Sequence, residues 1–424
     1  MVKKITGVLF LLVSLHTLAQ RNNTSPYSFF GIGDASDTKT VEEITMGEIG
    51  GAFNSPFQLT LTNPASFAHL RFTNFSLAGV NRAIQINDGI NQDSGSNASF
   101  SYLALSFPVG DKSGVTFGLT PNTSVGYSLS QEFLNSEDEI EAINLFSGDG
   151  GTNRVFLGYG RLIGANLSIG AEASYVFGTV ENSLLNRRDG VPLATIFKSN
   201  TEIRSVNLAL KLGAQYKTKI NEKLTLNTGV AVDLSNELSN KGNEYLFSLE
   251  NRPDGVIVAR DTTFSAPIDE RFKNPVKSIL SVGLGQENKW YAGVEYEFQN
   301  ALEFNDALQE NDAIFQYEKS SRISLGGYYT PKFNSVTNYW QRLTYRAGFK
   351  YQKTGLMVNN TSINNFGISF GVGFPIGRQL SNLNLGFELG RRGEATSDLV
   401  RENYFNFRLG LSLSDQWFRK RKLD

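Results

Sequence analysis

The sequence predicts an all-β protein: a transmembrane antiparallel β-barrel of about 14 strands with an N-terminal luminal plug. Three observations predict it. An export signal opens the chain, period-2 alternation fills most of the remaining length, and the connections alternate between short and long. Composition narrows the field further. The 424 residues carry a formal charge of −1, so no basic excess exists to neutralise phosphates and nucleic acid is excluded as a partner. With 0 Cys there is no disulfide framework, thiolate metal site or cysteine nucleophile. With 41 Gly and 31 Phe, the chain suits strands with aromatic girdles better than a helical core.

Residues 1–19 read as a signal peptide. Lys3 and Lys4 precede the apolar run Val8–Val13, and Thr17-Leu18-Ala19 offers small residues for cleavage after Ala19. The run is too short to anchor, since a spanning helix needs roughly 20 apolar residues. Loss of two Lys changes 40 − 41 to 38 − 41, or −3 for the mature chain. No Cys follows the cleavage site, so no lipid anchor is expected. The destination is the cell outer membrane.

Residues 20–71 come next. They are polar, Gly-rich and weakly periodic, too short to fold alone and too apolar for a free tail. A barrel of this size has a lumen that needs filling, which places the segment inside as a plug, or hatch.

Residues 72–424 form the barrel. In 366–374, Phe366, Ile368, Phe370, Val372 and Phe374 alternate with Gly367, Ser369, Gly371 and Gly373. Trp290–Phe298 and Leu224–Leu234 repeat the pattern. Such runs match the roughly 9–11 residues of a tilted transmembrane strand. A soluble sandwich also alternates, but its polar face is long, charged and wet. Here that face is mostly Gly, Ser, Asn and Thr. Strands are expected near 72–84, 98–108, 115–128, 152–161, 166–179, 203–218, 223–235, 276–285, 289–299, 320–330, 341–354, 365–375, 382–390 and 402–414. Between them 109–114, 162–165, 219–222 and 286–288 are short, while 129–151, 180–202, 236–275 and 300–319 are long. Short turns belong in the periplasm, together with both termini.

Several motifs punctuate this frame: Ser25-Pro26-Tyr27-Ser28 with Phe30-Gly31-Ile32-Gly33-Asp34, then Asn63-Pro64-Ala65, and Gly151–Gly160. Tyr345-Arg346-Ala347-Gly348, Phe374-Pro375-Ile376, Glu402–Phe405 and the basic end Trp417–Lys422 complete the series. In this order they resemble the FadL/TodX family of outer-membrane transport proteins, in the form common in Bacteroidetes. The resemblance runs across nearly the whole chain. It implies a fourteen-stranded barrel, closed by a hatch, that passes hydrophobic molecules sideways through a break in its wall. It also places Asn63-Pro64-Ala65 at the family's hatch motif, with Ser66 where Gly is frequent.

Read from the residues alone, Asn63-Pro64-Ala65 is either a hatch hinge or a plain turn into the first strand. Pro121 interrupts the third strand and marks either a lateral opening or a bulge near the rim. The inward charges Glu172, Lys211, Asp233, Glu295, Glu297, Arg322, Arg346, Lys350, Glu388 and Arg408 must be paired or hydrated. They form a network holding the hatch, or else Arg322, Arg346 or Arg408 holds the head group of an amphiphile. Loss of His16 with the signal leaves His69 alone, which argues against an enzyme. Glu137-Asp138-Glu139 lacks the ligand ladder of a calcium loop, so no metal or cofactor is expected.

Two functions remain. One is passive uptake of hydrophobic or amphipathic small molecules from a lipid environment. The other is a non-transporting subunit or shuttle of an outer-membrane protein machine, with protein partners in the same membrane.

Overall fold

The computed structural model describes residues 23–416 apart from 37, 189–192, 252–256, 305–314, 378–380 and 397–398. The signal segment 1–19 and the basic end Trp417–Lys422 lie outside the described residues. The chain opens with a 3-10 turn at Pro26–Phe29, strand β1 (Asp34–Ala35), a one-turn helix α1 (Val41–Ile44) and a second 3-10 turn at Pro64–His69. Strands then succeed one another almost without interruption: β2 (Thr73–Asn87), β3 (Gln92–Val109), β4 (Ser113–Leu134), β5 (Ile140–Ile163), β6 (Leu167–Arg188), β7 (Leu193–Ser205), β8 (Ala209–Lys219), β9 (Thr225–Asp233), β10 (Asn236–Asn251), β11 (Ile257–Asn274), β12 (Lys277–Gln286) and β13 (Trp290–Gln299). The remainder are β14 (Glu303–Phe304), β15 (Phe315–Tyr317), β16 (Ser320–Tyr329), β17 (Thr344–Val358), β18 (Thr361–Ile376), β19 (Ser381–Arg392) and β20 (Arg401–Asp415).

Fourteen of these close an antiparallel barrel in the order β2, β3, β4, β5, β6, β8, β9, β12, β13, β16, β17, β18, β19, β20. The last pairs with the first from Thr73↔Asp415 to Asn87↔Arg401, which leaves no sandwich edge. Each expected strand falls on one of them, with one adjustment. The stretch 203–218 divides, its first residues ending β7 and the rest forming β8.

Alternation sets which face meets lipid. Phe370 is 51% exposed, whereas the neighbouring Ser369 is 3% exposed. Large apolar groups cover the outside, and small or polar ones line the inside. A soluble protein would reverse this arrangement. Among the described residues no helix is long and apolar enough to cross a membrane, so the crossing elements are strands.

The described parts of the connections 129–151, 180–202 and 236–275 are largely strand. β4, β5 and β6 run 22, 24 and 22 residues, well past the need of a bilayer. Their outer halves join β7, β10 and β11 in a six-stranded blade at the end of the barrel opposite the short turns. One apolar row crosses all six strands: Leu129, Phe146, Leu184, Phe197, Leu246 and Phe264 stand directly opposite one another. Cross-strand pairs of this kind stabilise a sheet by about 0.2–1 kcal/mol each.

Candidate functional site

The N-terminal segment lies within the ring of strands, and the wall glycines explain how closely. A Cβ on Gly371 (β18) would sit 2.5 Å from Cβ of Thr45, and one on Gly160 (β5) 2.6 Å from the oxygen of Pro64. A Cβ on Gly348 (β17) would overlap the backbone nitrogen of Gly47, and one on Gly229 (β9) the carbonyl of Gly51. Segment and wall therefore touch backbone to backbone around much of the circumference. The small residues opposite each aromatic face form the bed for this contact.

Buried charge fixes the segment in rotation. A belt of alternating sign runs along the inner wall from β5 to β20. Arg154 pairs with Glu172 at 3.0 Å, while Asp233 stands 3.4 Å from both Lys211 and Lys277. Glu297 meets Arg322 at 2.5 Å, and Glu388 meets Lys350 and Arg408 at 2.6 Å each. The N-terminal segment inserts its own groups between these. Glu48 takes Arg322 at 2.5 Å and Lys350, and Lys39 reaches Glu295 at 3.0 Å. The second oxygen of Glu295 accepts from the amides of Gly50 and Gly51 at 2.9 and 2.7 Å. The charges of this belt thereby sit in ion pairs, the condition for carrying them out of water.

This arrangement separates the three arginine candidates. Arg322 and Arg408 are occupied by carboxylates of the belt. Arg346 makes no ion pair among the described residues. Its Nη1 donates to Asn384 at 3.0 Å, and its buried Nη2 has no partner. Asn384 passes the contact on to Glu42 at 2.8 Å. The acids of the N-terminal segment, Glu42, Glu43 and Glu48, were not among the sequence candidates. A signal existed for Glu43: it completes a capping box with Thr40 at the start of α1. Glu48 gave none, because its role depends on a backbone turn with φ of 69°.

Asn63-Pro64-Ala65 opens the second 3-10 turn. Asn63 is fully buried, and its side-chain oxygen accepts from the amide of Ala65 at 3.0 Å. Its amide nitrogen donates to Gly51 at 2.8 Å and to Ala214 and Val230 at 3.2 Å, on β8 and β9. The motif thus caps its own turn and fastens it to two wall strands. His69, at the end of the turn, lies 3.3 Å from Ser168. Burial, helped by Lys217 and Arg71, lowers its imidazole to about 4, so the ring is neutral at physiological pH.

At Pro121 the wall is interrupted. The ladder between β3 and β4 ends at Leu103↔Leu119. Beyond it β4 bulges between Pro121 and Thr123, and β2 and β3 shift register at Ala78 and Gly79. The neighbour of β4 is then β1, with Asp34 opposite Ser124 and Ala35 opposite Thr123. A cleft of about 640 Å³ opens here. Phe100, Tyr175 and Phe177 form its lipid-facing lips, and Arg82, Ser99 and Ser101 line its inner end. None of the belt's ion pairs described above has a member on β2, β3 or β4. Ala78, Tyr102, Ala104 and Phe156 meet Val41, Leu61 and Phe67 in an apolar cluster instead. Asp34 is held from across the lumen by Arg392, which donates to both its oxygens at 2.8 and 2.9 Å.

Comparison with known proteins agrees on the architecture. A family model described as BamG matches residues 1–424. No curated protein sequence matches the chain. Among solved structures, a FadL homologue of Pseudomonas aeruginosa superposes with a TM-score of 0.58 at 13% identity, covering 91% of this chain and 100% of that one. The toluene transporter TodX of Pseudomonas putida gives 0.56 at 15% identity, with 91% and 100% covered. The toluene transporter TbuX of Ralstonia pickettii gives 0.55 at 13% identity, again over 91% and 100%. Two of these neighbours are toluene transporters, and at such identities the likeness is one of fold.

Proposed function

The chain belongs to the BamG family, and from its geometry we propose an outer-membrane barrel for passive passage of hydrophobic or amphipathic small molecules. The interrupted wall at Pro121 carries this reading. The cleft is lined by the aromatics Phe100, Tyr175 and Phe177 together with the polar Arg82, Ser99 and Ser101, and the packed core nearest it in the chain, around Tyr102, is apolar; both suit a hydrophobic guest. The short turns and termini face the periplasm, and the blade faces outward, in a protein of the Bacteroidetes type that its motifs resemble. The N-terminal segment acts as the hatch, fastened by Asn63-Pro64-Ala65. Arg346, with a free guanidinium nitrogen, is the head-group candidate for a fatty-acid-like molecule.

One test uses a hatch lock. A Cβ on Gly410 lies 3.3 Å from Cβ of Val41, near the roughly 3.5–4.5 Å of a disulfide. No native Cys competes. In cells carrying Val41→Cys with Gly410→Cys, oxidation should slow uptake of a long-chain fatty acid and reduction should restore it. Unchanged uptake with the lock closed removes the transport reading.

A second reading is favoured by the strength of that fastening. The backbone contacts and the Glu48 and Glu295 ion pairs suit a hatch that never leaves, in a subunit of an outer-membrane protein machine that docks through its blade. A stable stoichiometric partner recovered with the barrel from solubilised membranes supports this alternative.

A further inference from the structure

The cleft at Pro121 is lined by hydroxyls and amides as much as by rings. Four of its residues form one cross-strand row: Pro121 stands opposite Asn153, Asn153 opposite Phe177, and Phe177 opposite Arg204. Residues directly opposite in antiparallel strands share a face, and Phe177 is 40% exposed, so the row belongs to the outer face. Two positions beyond Phe177, Thr179 stands opposite Glu202, which pairs with Arg204. Two positions before it, the ring of Tyr175 lies nearly parallel to that of Phe177, at 6.5 Å and 21°. Ser101, Thr123 and Ser124 line the same cleft and are buried. Phe177 lies ten positions from the start of β6 at Leu167, Thr123 ten from the start of β4 at Ser113, and Phe100 nine from the end of β3 at Val109. A tilted strand crosses the hydrocarbon core in roughly 9–11 residues, so the cleft lies where acyl chains end and head groups begin.

We infer that this cleft binds the sugar head of a glycolipid whose acyl chains stay in the outer leaflet. The inference rests on the passage reading above for the sidedness of the barrel, and it names the class of guest. A bare hydrocarbon would satisfy the rings and give the hydroxyls nothing to bond. A fatty acid brings one carboxylate, which accepts at a single point and donates nothing. The polar groups are instead spread over four strands, on Ser99 and Ser101 of β3, Thr123 and Ser124 of β4, Asn153 of β5 and Thr179 of β6. Some already bond within the wall: Arg82 donates to Ser99 at 3.2 Å, Asn23 donates to Ser124 at 3.2 Å, and Thr123 lies 2.8 Å from Thr152. A hydroxyl has one donor and two acceptor sites, so one bond leaves capacity for another. A pyranose matches such a lining, because its hydroxyls donate and accept in several directions at once. Its polarised C–H face also packs on the negative face of aromatic rings such as the Tyr175–Phe177 pair. The volume of about 640 Å³ falls within the roughly 300–1,000 Å³ of ligand sites.

The test uses the full chain in phosphatidylcholine nanodiscs and a hexadecyl maltoside with a diazirine in its chain beside the head. After irradiation the labelled residues are mapped by mass spectrometry. Phe100 and Phe177 should be labelled. Unlabelled hexadecyl maltoside should compete about tenfold better than palmitate or hexadecylphosphocholine, the worth of one or two net hydrogen bonds. It should exceed free maltose by at least as much, which distinguishes a glycolipid from a soluble sugar. Asn153→Ala combined with Thr179→Ala, with the heat-modifiable band shift as the check of folding, should weaken the glycoside to the level of palmitate and leave palmitate unchanged. Equal competition by the three amphiphiles on the wild-type barrel overturns the inference, as does equal competition by maltose and the glycoside, or a label that nothing competes away. An undiminished preference for the glycoside in the folded double variant overturns it too. Uptake that responds to the hatch lock is compatible with each of those results, so failure here is distinct from failure of the passage reading.

Discussion

Replacing Gly348 with leucine is expected to abolish most of the folded, heat-modifiable barrel, while Phe349→Leu beside it leaves the yield close to wild type. The two positions are adjacent on β17 but face opposite ways. The side chain at 349 meets lipid, which deforms around a new shape. At 348 the added Cβ would overlap the nitrogen of Gly47. Both partners there are backbone, so no rotamer change relieves the clash and either the wall or the hatch must move. Core overpacking costs about 1–3 kcal/mol where side chains can adjust, and this site belongs at or above the top of that range. The band shift between unheated and heated samples, combined with a urea titration in detergent, measures the effect. Equal yields from the two variants would mean that the hatch does not bear on the wall.

The second large effect is expected at Glu48. Its carboxylate faces Arg322 at 2.5 Å and Lys350, in a position where it is only 3% exposed. Glu48→Gln keeps the shape and removes the charge, leaving two buried cations short of a partner. Breaking a buried pair in this way costs about 3–5 kcal/mol. The excess positive charge, not lost volume, is the cause. Glu48→Gln combined with Lys350→Met should therefore be more stable than Glu48→Gln alone. Glu48→Gly should separate the backbone contribution, because a φ of 69° suits glycine. If the double variant is less stable than the single one, Lys350 contributes by something other than its pairing with Glu48.

Much of this architecture was legible in the sequence, for one physical reason. A membrane strand must be apolar on the lipid side and unobtrusive on the other, so Phe366, Ile368 and Phe370 announce their faces with no knowledge of neighbours. The inward placement of Glu295, Arg322 and Glu388 comes from the same alternation. The partners of those charges could not be read. Glu48 reaches Arg322 across 274 positions of chain, and no local pattern encodes such a pairing. The blade was missed differently. Segments 129–151, 180–202 and 236–275 alternate weakly, with polar residues on both faces. Their apolar row exists only after six strands are laid side by side. Pro121 marks an irregularity in the sequence, but the end of the β3–β4 ladder at Leu103↔Leu119 depends on strand pairing that no local pattern encodes.

Passage of a hydrophobic molecule through the cleft can be read most directly by photolabelling. A diazirine-bearing palmitate, added from outside to the purified barrel in nanodiscs and activated by light, should label Phe100, Tyr175 and Phe177 more heavily than lipid-facing residues on the far wall such as Phe298 and Leu325. Unlabelled palmitate should compete the cleft signal away and leave the far-wall background in place. Uniform labelling of all lipid-facing residues, with no competition at the cleft, would contradict a route through the wall at Pro121.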